Sequence, residues 1–424
     1  MNPDTNAPAV SPTAAAPRGM RPHIGLFGRR NVGKSSLYNR LLRQDAAIVS
    51  DEAGTTTDPV ERMAELHGVG AVQVIDTAGI DDVGALGEAR VERTRRTIGR
   101  VDVALLVVDA WEEFERDLLG RFRDRGTPVV VVCTKADVRA NRRLEDAALA
   151  DGAPSIVRFS ALSGEGFDEV LQAISAALGP SQAAGAPPAL AGDLVPPGGV
   201  AVLVTPIDQG APQGRLILPQ VQTIRDLLDH GCLPLVVRDT ELADALASLR
   251  APPAMVITDS QAFRRVAACV PGTIPLTSFS ILFARLKGDL ALLAAGAARI
   301  ERLRPGDRIL IAEACTHHPI QDDIGTVKIP RLLEGKAGGA LCIHHAAGRD
   351  FPEDASSFDL VVHCGSCMLN RTETLSRLGK AAASGVPVTN YGMAIAACLG
   401  ILDRALAPFP EAREAWLRAK EERA

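Results

Sequence analysis

The sequence predicts an α/β protein in which a P-loop domain precedes two smaller α/β domains. Three observations support this fold class. Short apolar runs alternate with helical patterns over residues 23–178, and a Gly-rich turn follows the first of these runs. Further strand-like runs lie beyond a segment dominated by Pro, Gly and Ala. Alternation of strands and helices is typical of a mostly parallel sheet with helices on both faces.

The composition narrows the class of protein before any motif is considered. The chain has 424 residues, enough for two or three domains, with 46% hydrophobic and 23% charged residues, as in soluble globular proteins. The net charge of -5 and the 4% aromatic content argue against nucleic-acid binding. No apolar run is long enough for a bilayer, so we expect a cytoplasmic protein without membrane or nucleic-acid partners.

Individual elements are predicted from the spacing of apolar residues. In the first domain, over 21–180, strands are expected at 23–27, 72–75, 101–109 and 128–133, and helices at 34–43, 87–100 and 165–178. Residues 1–20 are expected to be a disordered tail and 181–199 a linker. A second domain, 200–275, has strand-like runs at 200–206, 216–218, 233–237 and 255–258 and a helical stretch at 221–230. A third domain, 276–424, begins with a helical stretch to 303 and continues with strand-like runs at 308–312, 340–344 and 360–363. No internal repeat is found in the sequence.

A phosphate-binding loop follows the first predicted strand. Residues 28–35, Gly-Arg-Arg-Asn-Val-Gly-Lys-Ser, fit the Walker A pattern and open a helix. Glycines let backbone N–H groups turn inward around phosphates at the helix N-terminus. Lys34 would reach the β- and γ-phosphates and the Ser35 hydroxyl would bind Mg²⁺. A chance Gly-rich turn is improbable, because the strand and helix context is present.

Four later motifs point to GTP. Residues 76–79, Asp-Thr-Ala-Gly, end a strand, where Asp76 can hold Mg²⁺ through water and the Gly79 N–H can sense the γ-phosphate. Thr56, in the 54–58 loop, is the expected switch ligand of Mg²⁺. Residues 134–137, Thr-Lys-Ala-Asp, place Asp137 to accept two hydrogen bonds from guanine, and 160–161 suit its O6. The predicted nucleotide site comprises Gly28, Asn31, Val32, Gly33, Lys34, Ser35, Ser36, Thr56, Asp76, Gly79, Thr134, Lys135, Asp137, Ser160 and Ala161, of which Lys34, Thr56 and Gly79 are the catalytic candidates.

The order of these motifs resembles translation-factor-like GTPases. Asn31 and the Gly-Thr-Thr-x-Asp run at 54–58 are similar to the Era/MnmE group, and that resemblance implies that Asn31 helps to bind an activating K⁺. Ile80 stands where Ras-like proteins have a water-orienting Gln, so catalysis needs K⁺ or another group to neutralise phosphoryl charge. The fourth motif starts with Thr134 instead of Asn, and we expect its loop-bracing hydrogen bonds to be weaker.

A second constellation lies near the C-terminus. Cys315-Thr316-His317 follows one strand-like run, and residues 363–367, His-Cys-Gly-Ser-Cys, follow another. Cys364 and Cys367 can meet one metal centre, and Cys315 can join them if the two strands are neighbours. A Cys₃His zinc site and an iron–sulfur cluster with three thiolates both fit this spacing. Chance placement of buried small residues is the weaker interpretation. Packing is the expected role of the remaining five cysteines, Cys133, Cys232, Cys269, Cys342 and Cys398.

Together the two constellations resemble HydF, the [FeFe]-hydrogenase maturation GTPases. The resemblance runs from residue 23 onward and is carried by residues 313–319, Glu-Ala-Cys-Thr-His-His-Pro, and by residues 363–367 behind an Era/MnmE-like domain. It implies a middle dimerisation domain, a homodimer, and a [4Fe–4S] cluster held by Cys315, Cys364 and Cys367. His317 and His363 are candidates for the fourth iron. It also implies a scaffold and carrier of a transient diiron precursor that cooperates with two radical SAM maturases, the HydE and HydG types, and delivers to apo-[FeFe]-hydrogenase.

Two other functions remain possible at this point. A zinc-containing Era-like GTPase in ribosome or tRNA biogenesis would keep the first domain and make the cysteines structural. A GTP-driven metallochaperone would carry a single ion. The acidic net charge weighs against the RNA-linked alternative.

Overall fold

The computed structural model describes residues 18–42, 60–77, 97–135, 142–179, 189–207, 216–314, 323–348 and 350–422. The chain divides into two compact units, residues 1–187 and 188–424. Across these described ranges, each helix is too short or too polar to cross a bilayer.

The first unit is built on one sheet. In its described part the sheet has six strands in the order β2-β3-β1-β4-β5-β6. Only β2 runs antiparallel to its neighbour. The strands are His23–Phe27 (β1), Val60–Leu66 (β2), Gly70–Asp76 (β3), Val103–Val108 (β4), Val129–Cys133 (β5) and Ile156–Arg158 (β6), and the helices are Lys34–Leu42, Glu113–Asp124, Arg142–Ala150 and Phe167–Leu178.

Helices cover both faces of this sheet, which explains why its central strands are continuously apolar. Every residue of β1, β4 and β5 is buried. On one face, Leu37 and Ile174 belong to a core that also includes alternate residues of the strands. On the other face, Phe122 meets Phe27 edge to face, with ring centroids 4.9 Å apart. The strands that carry the nucleotide loops are therefore packed on both faces.

The predicted elements of the first unit are largely confirmed. The strand at 23–27 has the expected limits, and the expected strands at 101–109 and 128–133 lose one or two residues at their ends. Strand β2 was missed, because its charged residues belong to a partly exposed edge strand whose burial alternates only at its end. Most of the predicted helix at 87–100 lies outside the described residues.

The second unit contains two parallel sheets with the same strand order. Within its described residues each sheet has four strands, ordered β10-β9-β7-β8 and β12-β11-β13-β14. The strands are Val200–Val204 (β7), Leu233–Val237 (β8), Met255–Thr258 (β9), Leu276–Ser278 (β10), Arg308–Glu313 (β11), Cys342–Ala347 (β12), Leu360–His363 (β13) and Val388–Asn390 (β14). In each sheet the first strand in the sequence is an inner strand. The second strand pairs with it on one side, and the third and fourth strands extend the sheet on the other side. No sequence repeat had indicated this duplication of topology.

Helices form most of the crossover connections between these parallel strands; within the described residues the link from β12 to β13 has none, and three helices follow β14. The helices span Leu218–Asp229, Leu242–Ser248, Phe263–Cys269, Phe279–Lys287, Leu290–Ala297, Ile329–Ala337, Arg371–Ala383, Tyr391–Cys398, Leu402–Leu406 and Pro410–Glu421, and a π-helical turn at Ile324–Lys328 precedes the sixth of them.

Two predictions for the second unit are wrong. Residues 216–218 are not a strand, because Leu218 starts a helix whose second residue, Pro219, suits a first helical turn and whose Gln220 side chain accepts a hydrogen bond from the Ile217 N–H at 3.1 Å. The helical stretch expected from 276 begins with strand β10 instead. Ser278 then caps the helix Phe279–Lys287 by accepting a hydrogen bond from the Ile281 N–H at 3.3 Å.

Candidate nucleotide and metal sites

The phosphate-binding loop has the backbone conformation that its glycines predict. Gly28 has a φ of 146°, and a Cβ atom there would lie 2.2 Å from the Val107 carbonyl oxygen. Asn31 and Gly33 also have positive φ values, of 62° and 102°. The Lys34 ammonium donates to the Gly28 and Arg29 carbonyl oxygens, at 2.8 and 2.5 Å. The loop therefore curls around the lysine, while Ser35 and Ser36 stay exposed at the start of the helix.

An arginine of the loop is tied to a neighbouring helix, a contact that the motif pattern did not reveal. The Arg29 guanidinium pairs with Glu112 at 2.7 Å and with Glu115 at 2.9 Å. Glu115 is buried and also accepts a hydrogen bond from the Glu112 N–H at 2.9 Å, so it caps the helix Glu113–Asp124. The ion pair between Arg29 and the buried Glu115 carboxylate therefore anchors the loop to the first turn of this helix.

Asp76 stands where a magnesium ligand is expected. It ends β3 directly opposite Leu26 of β1, next to the loop. Its Oδ1 atom is buried without a hydrogen-bond partner within the described part of the chain. Burial raises the pKa of Asp76, and the charge of Lys34 acts in the opposite direction. A desolvated carboxylate oxygen with no donor is suited to a cation or its bound water, so the residues present fit Mg²⁺.

Thr134 braces the phosphate loop despite replacing the usual Asn. Its hydroxyl donates to the Val32 carbonyl oxygen at 2.5 Å and lies 3.2 Å from the Val108 carbonyl oxygen. Its own N–H donates to Val108 at 2.9 Å. One hydroxyl therefore links the end of β5 to the loop. The next residue, Lys135, has a φ of 59° and pairs with Asp109 at 2.6 Å.

The 160–161 loop is held by its own backbone. The Ser160 N–H donates to the Glu165 carbonyl oxygen at 3.0 Å, and the Ser160 Oγ accepts from the Ser163 N–H at 3.2 Å. Ser160 is fully buried, whereas Ala161 is exposed. The predicted residues Thr56, Gly79 and Asp137 lie outside the described residues, and their roles stay predictions.

The cysteine motifs follow neighbouring strands of the last sheet. Ala312 of β11 pairs with His363 of β13, and the Cys364 N–H donates to the Ala312 carbonyl oxygen at 2.8 Å. The Ala314 N–H in turn donates to the Cys364 Sγ at 3.1 Å. From β11 the chain continues to β12 on one side, whereas β13 pairs with β11 on the opposite side. A crevice at such a reversal of strand order is the usual ligand position of open α/β sheets.

The loop after β13 is shaped by a buried lysine. Ser366 has a φ of 54°, and the Lys287 ammonium donates to the carbonyl oxygens of Ser366, Cys367 and Leu369, at 3.1, 3.1 and 2.8 Å. Lys287 is only 2% exposed. Burial lowers its pKa to about 8, and the charges of Cys367 and Cys364 oppose that shift. Sequence reasoning missed this residue, because a lone lysine at a helix end carries no pattern.

Burial sets the protonation of the residues before and at the start of this loop. It raises the pKa of the Cys364 thiol to about 11, although N–H groups of Ser366 and Ala314 favour the thiolate. It lowers the pKa of His363 to about 4, an effect that Arg377 reinforces. The His363 Nδ1 lies 3.0 Å from the Cys364 carbonyl oxygen, and its Nε2 is buried without a hydrogen-bond partner in the described ranges. A neutral imidazole and a cysteine sulfur that accepts an N–H hydrogen bond are ligand types that a soft metal centre uses.

Cys315 and His317 lie outside the described residues, so their convergence with Cys364 and Cys367 stays a prediction. In the portion that is described, no group of three or more His, Cys, Asp or Glu residues is arranged to hold a metal ion. The expectation that the other five cysteines pack internally is wrong for Cys269 and Cys342, which are exposed. Cys342 is exposed because β12 is an edge strand.

Comparisons with known proteins identify the class of the first unit and then the family of the chain. A model described as 50S ribosome-binding GTPase matches residues 23–135, and with the loop geometry it defines a P-loop GTPase domain. Models of the hydrogen maturase F dimerization domain and tetramerization domain match residues 190–288 and 291–408. The chain belongs to the HydF family of hydrogenase maturation GTPases. The predicted family and α/β fold class are confirmed.

Individual relatives match the GTPase region. The tRNA modification GTPase MnmE of Aquifex aeolicus is 37% identical over 153 residues, 36% of this chain and 33% of that protein. The MnmE of Prochlorococcus marinus strain MIT 9303 is 38% identical over 167 residues, 38% of this chain and 36% of that protein. The chain thus spans about a third of the length of these curated relatives. A structure of Era from Aquifex aeolicus is 20% identical and covers 51% of this chain and 94% of that one, with a TM-score of 0.32.

Proposed function

We propose that this chain is a GTP-hydrolysing scaffold that holds an iron–sulfur cluster and carries the diiron precursor during [FeFe]-hydrogenase maturation. One observation carries the proposal. Strands β11 and β13 are hydrogen-bonded neighbours, and the Ala314 N–H, one residue before Cys315, donates to the Cys364 Sγ. The pairing of these strands brings the residue before Cys315 to the start of the second cysteine motif, in a chain that also carries a GTPase domain, and this supports a shared metal centre.

In the first unit, the GTP-binding residues have separate tasks. Lys34 and the loop N–H groups bind the phosphates, and Ser35, Thr56 and Asp76 hold Mg²⁺ directly or through water. Asp137 selects guanine and Gly79 senses the γ-phosphate. Asn31 contributes to a K⁺ site, whose positive charge would offset the charge on the transferring phosphoryl group, while Ile80 cannot orient water as a Gln does. GTP turnover would reorder the switch loops and change contacts with partners.

In the second unit, Cys315, Cys364 and Cys367 would hold a [4Fe–4S] cluster, with His317 or His363 as candidates at the fourth iron. The donor set fits, because thiolates are the usual ligands of iron–sulfur clusters and the Cys364 Sγ already accepts an N–H hydrogen bond of the kind that stabilises a bound thiolate. A bound cluster supplies one weakly held coordination position that can accept and later release a bridging ligand.

The partners follow from the same proposal. Radical SAM maturases of the HydE and HydG types would supply the diiron precursor, and apo-[FeFe]-hydrogenase would receive it. The dimerisation region supports a homodimer. A zinc-containing Era-like GTPase in ribosome or tRNA biogenesis is the alternative, and it differs in the metal that the cysteines bind.

Anaerobic reconstitution of the full chain with iron and sulfide tests the proposal. We expect a brown protein with the EPR signal of a reduced [4Fe–4S] cluster. Cys364→Ser should lose most of this signal, because three thiolates are needed. Cys342→Ser, a matched change at an exposed cysteine, should keep it. A colourless wild-type protein that retains zinc would refute the cluster and favour the alternative.

The coupling between GTP and delivery needs a separate experiment. Lys34→Ala should bind GTP poorly yet still load iron and sulfide, since the two sites lie in different units. Delivery of the precursor to apo-hydrogenase at the wild-type rate by this variant would contradict the coupling.

A further inference from the structure

The HCxxC loop is organised around a single buried cation. The Lys287 ammonium, at the end of the helix Phe279–Lys287, donates to three carbonyl oxygens of the loop, those of Ser366, Cys367 and Leu369. An ammonium has three N–H donors, so these acceptors use all of them. The lysine thereby fixes the peptide that carries Cys367.

A second set of contacts keeps this lysine in place. The Leu369 N–H donates to the Ser366 carbonyl oxygen at 3.1 Å, which closes the turn around the ammonium. Arg371, just after the loop, donates to the Leu286 carbonyl oxygen at 2.9 Å and to the Gly288 carbonyl oxygen at 3.2 Å. The end of the helix and the two ends of the loop are therefore tied together.

Burial of a cation at this position has an electrostatic cost that neutral carbonyl groups offset only in part. An anionic group beside it would complete the compensation, and the loop itself carries two cysteines. Thiolates bound to an iron–sulfur core place net negative charge there. The Ala314 N–H at the Cys364 Sγ acts in the same direction. Two groups therefore favour negative charge at the cysteines: the Lys287 ammonium at the end of the helix and the Ala314 N–H after β11.

We infer that Lys287 is a positioning residue for the cluster: it holds the loop in the metal-binding conformation and its charge stabilises the reduced cluster. The inference rests on the proposed function. Hydrogen bonding and nearby charge are two of the main determinants of cluster potentials. Removal of the charge should therefore make the cluster harder to reduce, and removal of the donors should weaken metal retention.

The test uses the full chain loaded anaerobically with iron and sulfide. Lys287→Met removes both donors and charge, and Lys287→Gln keeps an amide donor without the charge. Lys380→Met is the matched control, because Lys380 lies on the helix Arg371–Ala383, which follows the loop, and pairs with the exposed Glu353. We expect Lys287→Met to release iron to a chelator about tenfold faster than wild type. EPR-monitored titration should show a more negative reduction potential in both Lys287 variants. Lys287→Gln should recover part of the retention.

The outcomes separate this inference from the proposed function. A wild-type chain that binds no cluster overturns both. A loaded wild-type chain with unchanged potential and retention in Lys287→Met overturns only the role of Lys287. If Lys287→Met does not fold, Lys287→Gln decides alone, and a wild-type potential in that variant overturns the inference. A Lys380→Met shift as large as that of Lys287→Met would do so as well.

Discussion

The hydroxyl of Thr134 should control how well the phosphate loop is ordered. It donates to the Val32 carbonyl oxygen at 2.5 Å, in a site where Thr134 is 8% exposed. Thr134→Val removes this donor and keeps the shape of the side chain. The Val108 carbonyl oxygen keeps the hydrogen bond from the residue 134 N–H, so the loss falls on the loop.

The expected size follows from the buried position of this hydrogen bond. Leaving a buried acceptor unsatisfied costs about 1–3 kcal/mol. Because about 1.4 kcal/mol is tenfold in an equilibrium constant, the affinity for GTP should fall by about 5- to 140-fold if the loop must reorder on binding. Thr134→Ser keeps the hydroxyl and loses a methyl group, so its affinity should stay near that of wild type.

Titration with a fluorescent GTP analogue measures the affinities, and hydrogen exchange at Val32–Lys34 reports loop order directly. Faster exchange in Thr134→Val than in Thr134→Ser is expected. Equal affinity and equal exchange in the two variants would show that the hydroxyl does not brace the loop.

Three further changes probe other contacts. Gly28→Ala should abolish GTP binding and lower the free energy of unfolding by more than about 2 kcal/mol, as thermal melting can measure, because its Cβ would clash with a carbonyl oxygen of β4. Asp76→Asn should raise the Mg²⁺ concentration for half-maximal hydrolysis about tenfold, and an unchanged Mg²⁺ dependence would exclude it as a ligand. The Arg285 hydrogen bond lowers the pKa of Asp193, so that pair stabilises the fold fully above about pH 4 and loses its effect as the pH falls through the lowered pKa. Urea unfolding should therefore show a larger difference between wild type and Asp193→Asn at pH 6 than at pH 2, and a constant difference would contradict this.

The nucleotide domain was the most predictable part of the chain, because its signals are local. A Walker A loop needs glycines at fixed positions, and fully buried strands such as β5 are short apolar runs. The partly exposed edge strand β2 lacked that signal. The brace by Thr134 could not be predicted, since it depends on how closely the end of β5 approaches Val32.

The metal motifs were visible in the sequence, but their surroundings were not. Spacing alone suggested that Cys364 and Cys367 act together. That β11 and β13 are neighbours is a property of the sheet order, which residues 51 positions apart do not encode locally. Lys287 lies 79 to 82 residues before the three carbonyl groups that it binds in the loop. Likewise, β10 is a three-residue buried run whose identity as a strand depends on pairing with β9.

Besides Lys287, other side chains form hydrogen bonds across the interface between the two regions that the HydF models match. Asn390 donates to the Ser280 carbonyl oxygen at 3.0 Å, and Arg404 donates to the Val270 carbonyl oxygen at 2.8 Å. Each joins the region matched at 291–408 to the one matched at 190–288. A fragment that ends or begins near residue 289 would contain either the donors or the acceptors of these hydrogen bonds, but not both. The two regions should therefore be exchanged or engineered as a single piece, even though separate family models match them.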